Sequence, residues 1–128
     1  MTVTGRVFGT LPAKDMNRAK AFYEKNLGIK PVMDNDDGAV YELAEHTKIM
    51  LFPSTGEPSG THTQANFECD DLDAEVRRMK ANGVKFEDYD TPGLKTKDSI
   101  TVDQEFRGAW FHDSEGNLIA ISERMPMM

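Results

Sequence analysis

The chain has 128 residues, 38% of them hydrophobic and 29% charged, and its 22 acidic against 15 basic side chains leave a formal net charge of −7. That is the composition of one compact domain, or of two small halves sharing a core. It argues against nucleic acid as a partner, because a phosphate backbone would be repelled and no basic stripe offsets the repulsion. With no charged-then-apolar leader at Met1, no apolar run of about 18 residues and a single cysteine, Cys69, that cannot close an intrachain bridge, the expectation is a cytoplasmic protein with no membrane partner.

In chain order, Val7 to Pro12 reads as a strand that leads into a helix capped by Asp15. Met16, Ala19, Phe22, Tyr23 and Leu27 recur at helical spacing, and Gly28 permits the left-handed turn that ends a helix. Asp34-Asn35-Asp36-Asp37-Gly38 is turn chemistry between a second and a third strand, and a fourth follows at Lys48 to Phe52. The Pro-, Ser- and Gly-rich stretch 54–63 reads as a linker. Gln64 to Cys69 is the next strand, followed by a helix with Asp71 as cap, Leu72, Val76 and Met79 as its buried stripe, and Gly83 as its stop. Residues 91–104 form an inserted loop, and two last strands flank the hairpin turn Ser114-Glu115-Gly116-Asn117.

The two halves repeat one another. Asp15 aligns with Asp71 and Gly28 with Gly83, while Ala39-Val40-Tyr41-Glu42 aligns with Ala109-Trp110-Phe111-His112 and Met50 with Ala120. Each half reads as strand, helix, then three strands. The expected organisation is a first βαβββ module over 1–53, a linker over 54–63, and a second module over 64–128 that carries the insertion. The fold class is α+β, with the two sheets curling into a half-open barrel around a cleft.

Side chains alternate across a strand, so fixing one face fixes the other. Ala65, Phe67 and Cys69, with Ile49, Leu51, Tyr41, Leu43, Ala109, Phe111, Ile119 and Ile121, are expected beneath the helices. The opposite set would line the cleft. Phe8, Met50, Phe52, Trp110, Leu118 and Ala120 supply mostly apolar bodies, and Gln64 and Asn66 supply polar handles for a small-molecule ligand. Glu42, Glu68 and His112 fall on the same set and are the candidate catalytic residues, either as acid/base groups or as relocated metal ligands. The plainer readings are a solvated strand-end His112, a Glu68 neutralised by Lys48, and Trp110 as core. Met125, Met127 and Met128 read as a frayed terminus rather than a soft-metal tail, His46 and His62 as solvated turn residues, Cys69 as a buried thiol, and the loop 91–104 as a lid or an ordinary excursion.

The segments LPAKDMNRAKAFYEKNLG, ECDDLDAEVRRMKANGV and WFHDSEGNLIAI, together with the paired module order, resemble the vicinal oxygen chelate superfamily of glyoxalase I, bleomycin and fosfomycin resistance proteins and extradiol dioxygenases. The resemblance implies a divalent metal held by His or Glu at four positions, which here fall on Phe8, Met50, Gln64 and Ala120. None of these is a His or a carboxylate, so no metal and no other cofactor are expected. What remains resembles the bleomycin-resistance branch: a metal-independent small-molecule binder, expected as a homodimer because each small module leaves a sheet edge uncovered. The competing readings are a lyase or isomerase of the glyoxalase type built on relocated ligands or metal-free acid/base residues, a dioxygenase-like enzyme, and a protein-interaction module.

Overall fold

The computed structural model describes residues 2–125 of the chain, so Met127 and Met128 of the methionine-rich end lie outside the described residues. The chain divides into two compact units, Met1–Pro58 and Ser59–Met128, with the boundary inside the Pro/Ser/Gly-rich stretch.

In the first unit β1 (Gly9–Ala13) leads into α1 (Met16–Leu27), followed by β2 (Met33–Asn35), β3 (Gly38–Glu42), a single 3-10 turn at Ala44–His46 and β4 (Lys48–Pro53). The sheet order is β1-β4-β3-β2. The β1/β4 pair is parallel and the other two are antiparallel. The helix starts where Asp15 Oδ1 accepts the Arg18 backbone N–H at 3.0 Å, and it ends where Gly28, at φ 69°, turns its own N–H back to Glu24. Its buried residues are Ala19, Tyr23 and Asn26, one face at the i, i+4, i+7 spacing. They meet Leu11, Ala13, Ala39, Tyr41 and Leu51 from the sheet, all at most 1% exposed. Met16, Phe22 and Leu27 are only partly buried, so the helix turns a narrower stripe inward than its apolar pattern implies.

The expected strand at Val7 begins later. The β1/β4 ladder starts at Gly9 opposite Ile49, and upstream of it Val7 and Phe8 have no ladder partner and are 95% and 50% exposed. Phe8 therefore does not line a wall of the sheet.

The second unit runs β5 (Thr63–Cys69), α2 (Leu72–Ala81), β6 (Asp90–Thr91), β7 (Leu94–Lys97), β8 (Ile100–Thr101), β9 (Gly108–His112) and β10 (Leu118–Glu123). Asp71 caps α2 by accepting the Ala74 N–H at 3.1 Å. Acidic Asp73 and Glu75 occupy its first turn, where they complement the helix dipole. Leu72, Val76 and Met79 are its buried stripe, as the spacing predicts. Phe67, Ala109, Phe111, Ile119 and Ile121 complete the apolar layer.

This sheet has three strands, β5-β10-β9, and not four. The strand expected after α2 is reduced to one bridge, Phe86 to Phe111, with the two rings edge-on at 5.4 Å. The insertion is no loose loop either: β6, β7 and β8 form a separate antiparallel meander. It is held from inside. Asp88 Oδ1 accepts the Ser99 N–H at 2.9 Å and the Thr96 hydroxyl at 3.0 Å, and the Gln104 amide donates to Gly93 O at 2.7 Å.

One glycine is demanded by the turn into β3. Gly38 has φ 152°, and a Cβ there would fall inside contact distance of the Leu51 carbonyl oxygen, a backbone atom of the neighbouring strand. Gly38→Ala is expected to cost about 2–4 kcal/mol, because strain and a backbone clash add. Gly5→Ala, where a Cβ meets nothing within 4 Å, should stay within about 0.5 kcal/mol. Urea denaturation of the two variants checks this, and equal midpoints would refute it.

Candidate functional site

In the first unit the face away from α1 carries Met50 and Phe52 of β4, Val40 and Glu42 of β3, and Thr10 and Pro12 of β1. The register sets Val40 and Thr10 beside Met50, Pro12 beside Phe52 and Glu42 beside Lys48. Met50 and Phe52 are half-buried. Glu42 is already engaged. Its Oε2 lies 3.0 Å from His46 Nδ1 and its Oε1 3.7 Å from Lys48 Nζ. Its carboxyl is held below the usual carboxylate range, first by the His46 hydrogen bond and then by the Lys48 charge. A carboxylate so paired is a poor proton acceptor.

In the second unit the register fixes which side chains look away from α2. Ala120 pairs with Trp110 on one side and Asn66 on the other, Ser122 with Gly108 and Glu68, and Leu118 with His112 and Thr63. Asn66 Nδ2 donates to Ser122 Oγ at 2.9 Å and Trp110 Nε1 donates to Thr63 Oγ1 at 3.0 Å, which confirms that these side chains share one face. The register shifts between Leu118 and Ile119, so Thr63 and Ala65 are their successive partners and Gln64 is the extra residue of a bulge. Counting back from Asn66, Gln64 faces with it; Thr63, through its bond to Trp110, faces the same way. Two adjacent residues of β5 thus point to one side.

Gln64 Oε1 is shielded from solvent and has no hydrogen-bond partner among the described residues. An unmet buried acceptor costs about 1–3 kcal/mol.

The other expected lining residues of this unit are covered by Leu94 of the insertion and by Tyr89 and Phe106, which flank it. Trp110, Leu118 and Ala120 are 9%, 4% and 2% exposed, and Tyr89, Leu94 and Phe106 pack against them. The Tyr89 ring stands edge-on to Trp110 at 5.5 Å and the Phe106 ring lies tilted at 5.8 Å. The indole and its two neighbours are therefore a second small apolar core in place of an open wall. The sequence reading missed Tyr89, Leu94 and Phe106 as partners of Trp110, although large apolar residues within and on either side of an otherwise polar insertion were a visible signal.

Glu68 and His112 stand apart within the second unit, each with a partner of its own. Glu68 Oε2 accepts the Met125 backbone N–H at 2.6 Å. His112 Nε2 donates to Gly60 O at 2.8 Å, and Nδ1 lies 3.0 Å from Glu87 Oε1. His112 stands opposite Leu118 and Glu68 opposite Ser122, four residues further along β10, or about 13 Å of strand. Glu42 sits in the other unit with its own partners. Lys48, expected as the neutraliser of Glu68, pairs with Glu42 instead. Among the described residues no group of three or more His, Cys, Asp or Glu side chains is placed to hold a metal ion. Cys69 is half-buried, and burial together with nearby carboxylates pushes its thiol up to about 11, so it is inert near neutral pH.

Among curated proteins nothing matches the chain. The profile of the Glyoxalase/Bleomycin resistance protein/Dioxygenase superfamily matches residues 5–121. Solved structures share the fold. UcmS2 is 17% identical over 95% of this chain and 100% of its own, with a TM-score of 0.73. The genomically encoded fosfomycin resistance protein FosX of Listeria monocytogenes, as a mutant complexed with Mn(II) and 1S,2S-dihydroxypropylphosphonic acid, is 19% identical over 98% of this chain and 94% of its own, with a TM-score of 0.70. An integron cassette protein from the mobile metagenome of V. pseudocholerae is 25% identical over 98% of each chain, with a TM-score of 0.66. Among the described residues no helix is long and apolar enough to cross a membrane.

Two measurements test this geometry. A carboxyl pKa held down in the folded state favours folding at neutral pH, and that contribution is lost as pH falls through the folded value. The NMR titration midpoint of Glu42 should accordingly lie below the usual range and move up in His46→Ala and in Lys48→Ala; an unmoved midpoint in both would refute the pairing. Phe106→Ala should raise acrylamide quenching of Trp110, the chain's only tryptophan, about twofold or more while the protein stays folded. Unchanged quenching would mean that the insertion does not shield the indole.

Proposed function

This chain belongs to the Glyoxalase/Bleomycin resistance protein/Dioxygenase superfamily, and we propose that within it the protein is a metal-independent binder of a small, partly apolar molecule. The observation that carries the reading is the chemistry at the four positions where the superfamily resemblance implies metal ligands. Phe8 and Ala120 have no donor atom. The Met50 thioether is too soft for the hard or borderline divalent ions of such sites. Gln64 offers one neutral amide oxygen, and a single neutral donor does not hold a divalent ion. Position adds to chemistry: Phe8 is half-exposed outside β1, and Ala120 is buried in the unit that packs Tyr89, Leu94 and Phe106 over its sheet. The residues present do not fit the metal.

A FosX-like reaction is disfavoured on the same ground. The FosX structure holds Mn(II) and a phosphonate, and the residues here supply neither a ligand set nor a free cation at the equivalent strands. Lys48 is the one basic residue on the outer face of β3 and β4, and Glu42 already faces it at 3.7 Å. Glu68 and His112, engaged at opposite ends of the second sheet, lend no support to a relocated acid/base enzyme.

The reading includes a homodimer. Strand β2 is an uncovered sheet edge, and Val32 and Met33 beside it are 64% and 58% exposed. Such an edge is commonly met by a second chain.

Elemental analysis of the purified protein should find no stoichiometric divalent metal, and added Mn, Mg or Zn with or without EDTA should leave the melting temperature unchanged. A thermal-shift panel of antibiotics and metabolites should contain at least one compound that raises it in a concentration-dependent way. A metal bound one to one, or a panel that stabilises nothing while protein partners are captured, would overturn the reading. Light scattering that gives the mass of a single chain at micromolar concentration would remove the dimer.

A further inference from the structure

We infer that the Thr63–Gln64 bulge of β5 is a recognition point for a neutral carboxamide or lactam group on the ligand. The inference rests on the small-molecule reading above and names the chemistry of one part of that molecule.

The two residues are adjacent, face the same side and have complementary capacity left. Thr63 Oγ1 receives the Trp110 indole N–H at 3.0 Å, and its own O–H donates to no protein group among the described residues. A hydroxyl that already accepts is polarised into a better donor. The shielded Gln64 Oε1 accepts from nothing. No hydrogen bond holds the Gln64 amide in place, so turning it toward an incoming group breaks none. A bulge is the usual device by which a strand re-aims a side chain next to a site. One donor beside one acceptor is matched by a group with one acceptor beside one donor, and a carboxamide or lactam presents C=O and N–H in that way.

Charge sets the same preference. The strand side chains on this face are Thr63, Gln64, Asn66, Glu68, Ser122 and the Trp110 cluster, with His112 at its far end against Glu87. No Lys or Arg is among these strand residues, and the chain carries a net charge of −7. A carboxylate or phosphonate has no N–H to give the Gln64 oxygen and meets no Lys or Arg counter-charge among these strand residues, while Glu68 two strand steps beyond Asn66 repels it. A neutral amide meets no such penalty.

The test is a titration of the 15N-labelled full chain with benzamide, benzoate and methyl benzoate, three probes of one shape that differ in the group presented. Benzamide should shift the Gln64 side-chain amide and the Trp110 indole N–H saturably. Benzoate, which lacks the N–H donor and finds no counter-charge, and methyl benzoate, which lacks the donor, should bind roughly tenfold more weakly or worse. Gln64→Met keeps volume and removes the acceptor, and should weaken benzamide about fivefold or more; Thr63→Val should do likewise. Thermal melts verify that both variants fold. Benzoate binding as well as benzamide, no saturable shift with about 10 mM benzamide, or indifference to Gln64→Met would each overturn the inference. A panel compound that stabilises the wild type and Gln64→Met equally would leave the small-molecule reading standing while this inference falls. A stoichiometric metal would remove that reading instead.

Discussion

The register of β10 against its two neighbours is the constraint on which the second unit depends. Side chains alternate strictly along a strand, so pairing Ala120 with Trp110 and Asn66 commits every residue of β5, β9 and β10 to one face or the other. A slip by one residue would drive Ile119, Ile121 and Phe111 away from α2, and these are 2% exposed or less. At about 25 cal/mol per Å2 of buried apolar surface, turning out three such side chains costs several kcal/mol, comparable to the whole stability of a small domain. The register is therefore locked by the core, and the other face inherits whatever that lock gives it. The irregularity of this ladder lies at its end, between Leu118 and Ile119.

What the other face inherits is divided. Near β9 it is apolar, and apolar surface left in water invites cover. The insertion and the residues flanking it supply that cover from within the same unit: Tyr89, Leu94 and Phe106 close over Trp110, and the meander is anchored by Glu87 N–H to Trp110 O at 2.8 Å and by the Thr101 hydroxyl to Phe106 O at 2.7 Å. Near β5 the face is polar, and the cluster over Trp110 does not include it. The anchoring has a conformational cost. Asp98, Ser99 and Asp103 all take positive φ, the left-handed region that non-glycine residues occupy at some expense. Aromatic packing offsets it. A segment that reads as a loop by composition is held as structure by what lies beneath it.

Much of this was legible in the residues. Both helices, both Asp caps, the glycines that follow them and the face assignments of Tyr41, Leu51, Phe67, Phe111 and Ile119 came from periodicity and alternation, which report local geometry directly. The order of strand, helix and following strands in each module came from the repeat, whereas the parallel pairing of β1 with β4 and of β5 with β10 is seen only in the structure. Three further things were not legible. Where β1 starts depends on where β4 offers a partner, a long-range fact that Val7 and Phe8 do not encode. The fourth strand of the second module shrank to the Phe86 bridge because residues that would extend it feed the meander instead. Trp110 was assigned correctly to its face, but the cover over that face comes from residues in and beside an insertion with no counterpart in the first half, so the repeat gave no guide. The site residues fared unevenly for one reason: alternation says which way a side chain points, and not who meets it there. Glu42, Glu68 and His112 each point as expected, and each meets a different local partner.

On the function proposed above, a face without a metal must orient its ligand by other means. A divalent ion draws in two oxygens of a substrate with little regard to the rest of the molecule, since its field is strong and falls off slowly. Neutral hydrogen bonds are weak singly and steep in angle, so they select only when donor and acceptor are fixed relative to one another. The β5 bulge meets that condition for Thr63, whose oxygen is tied to an indole wedged between Tyr89 and Phe106. The aromatic cover thus has a consequence beyond its own packing: by immobilising Trp110 it fixes the hydroxyl that Trp110 holds, and with it the direction in which the remaining proton of Thr63 can point. In a chain with Phe8, Met50 and Ala120 at the positions where its superfamily would place metal ligands, that packing-to-hydroxyl linkage gives a side chain on the strand face a defined orientation without an ion.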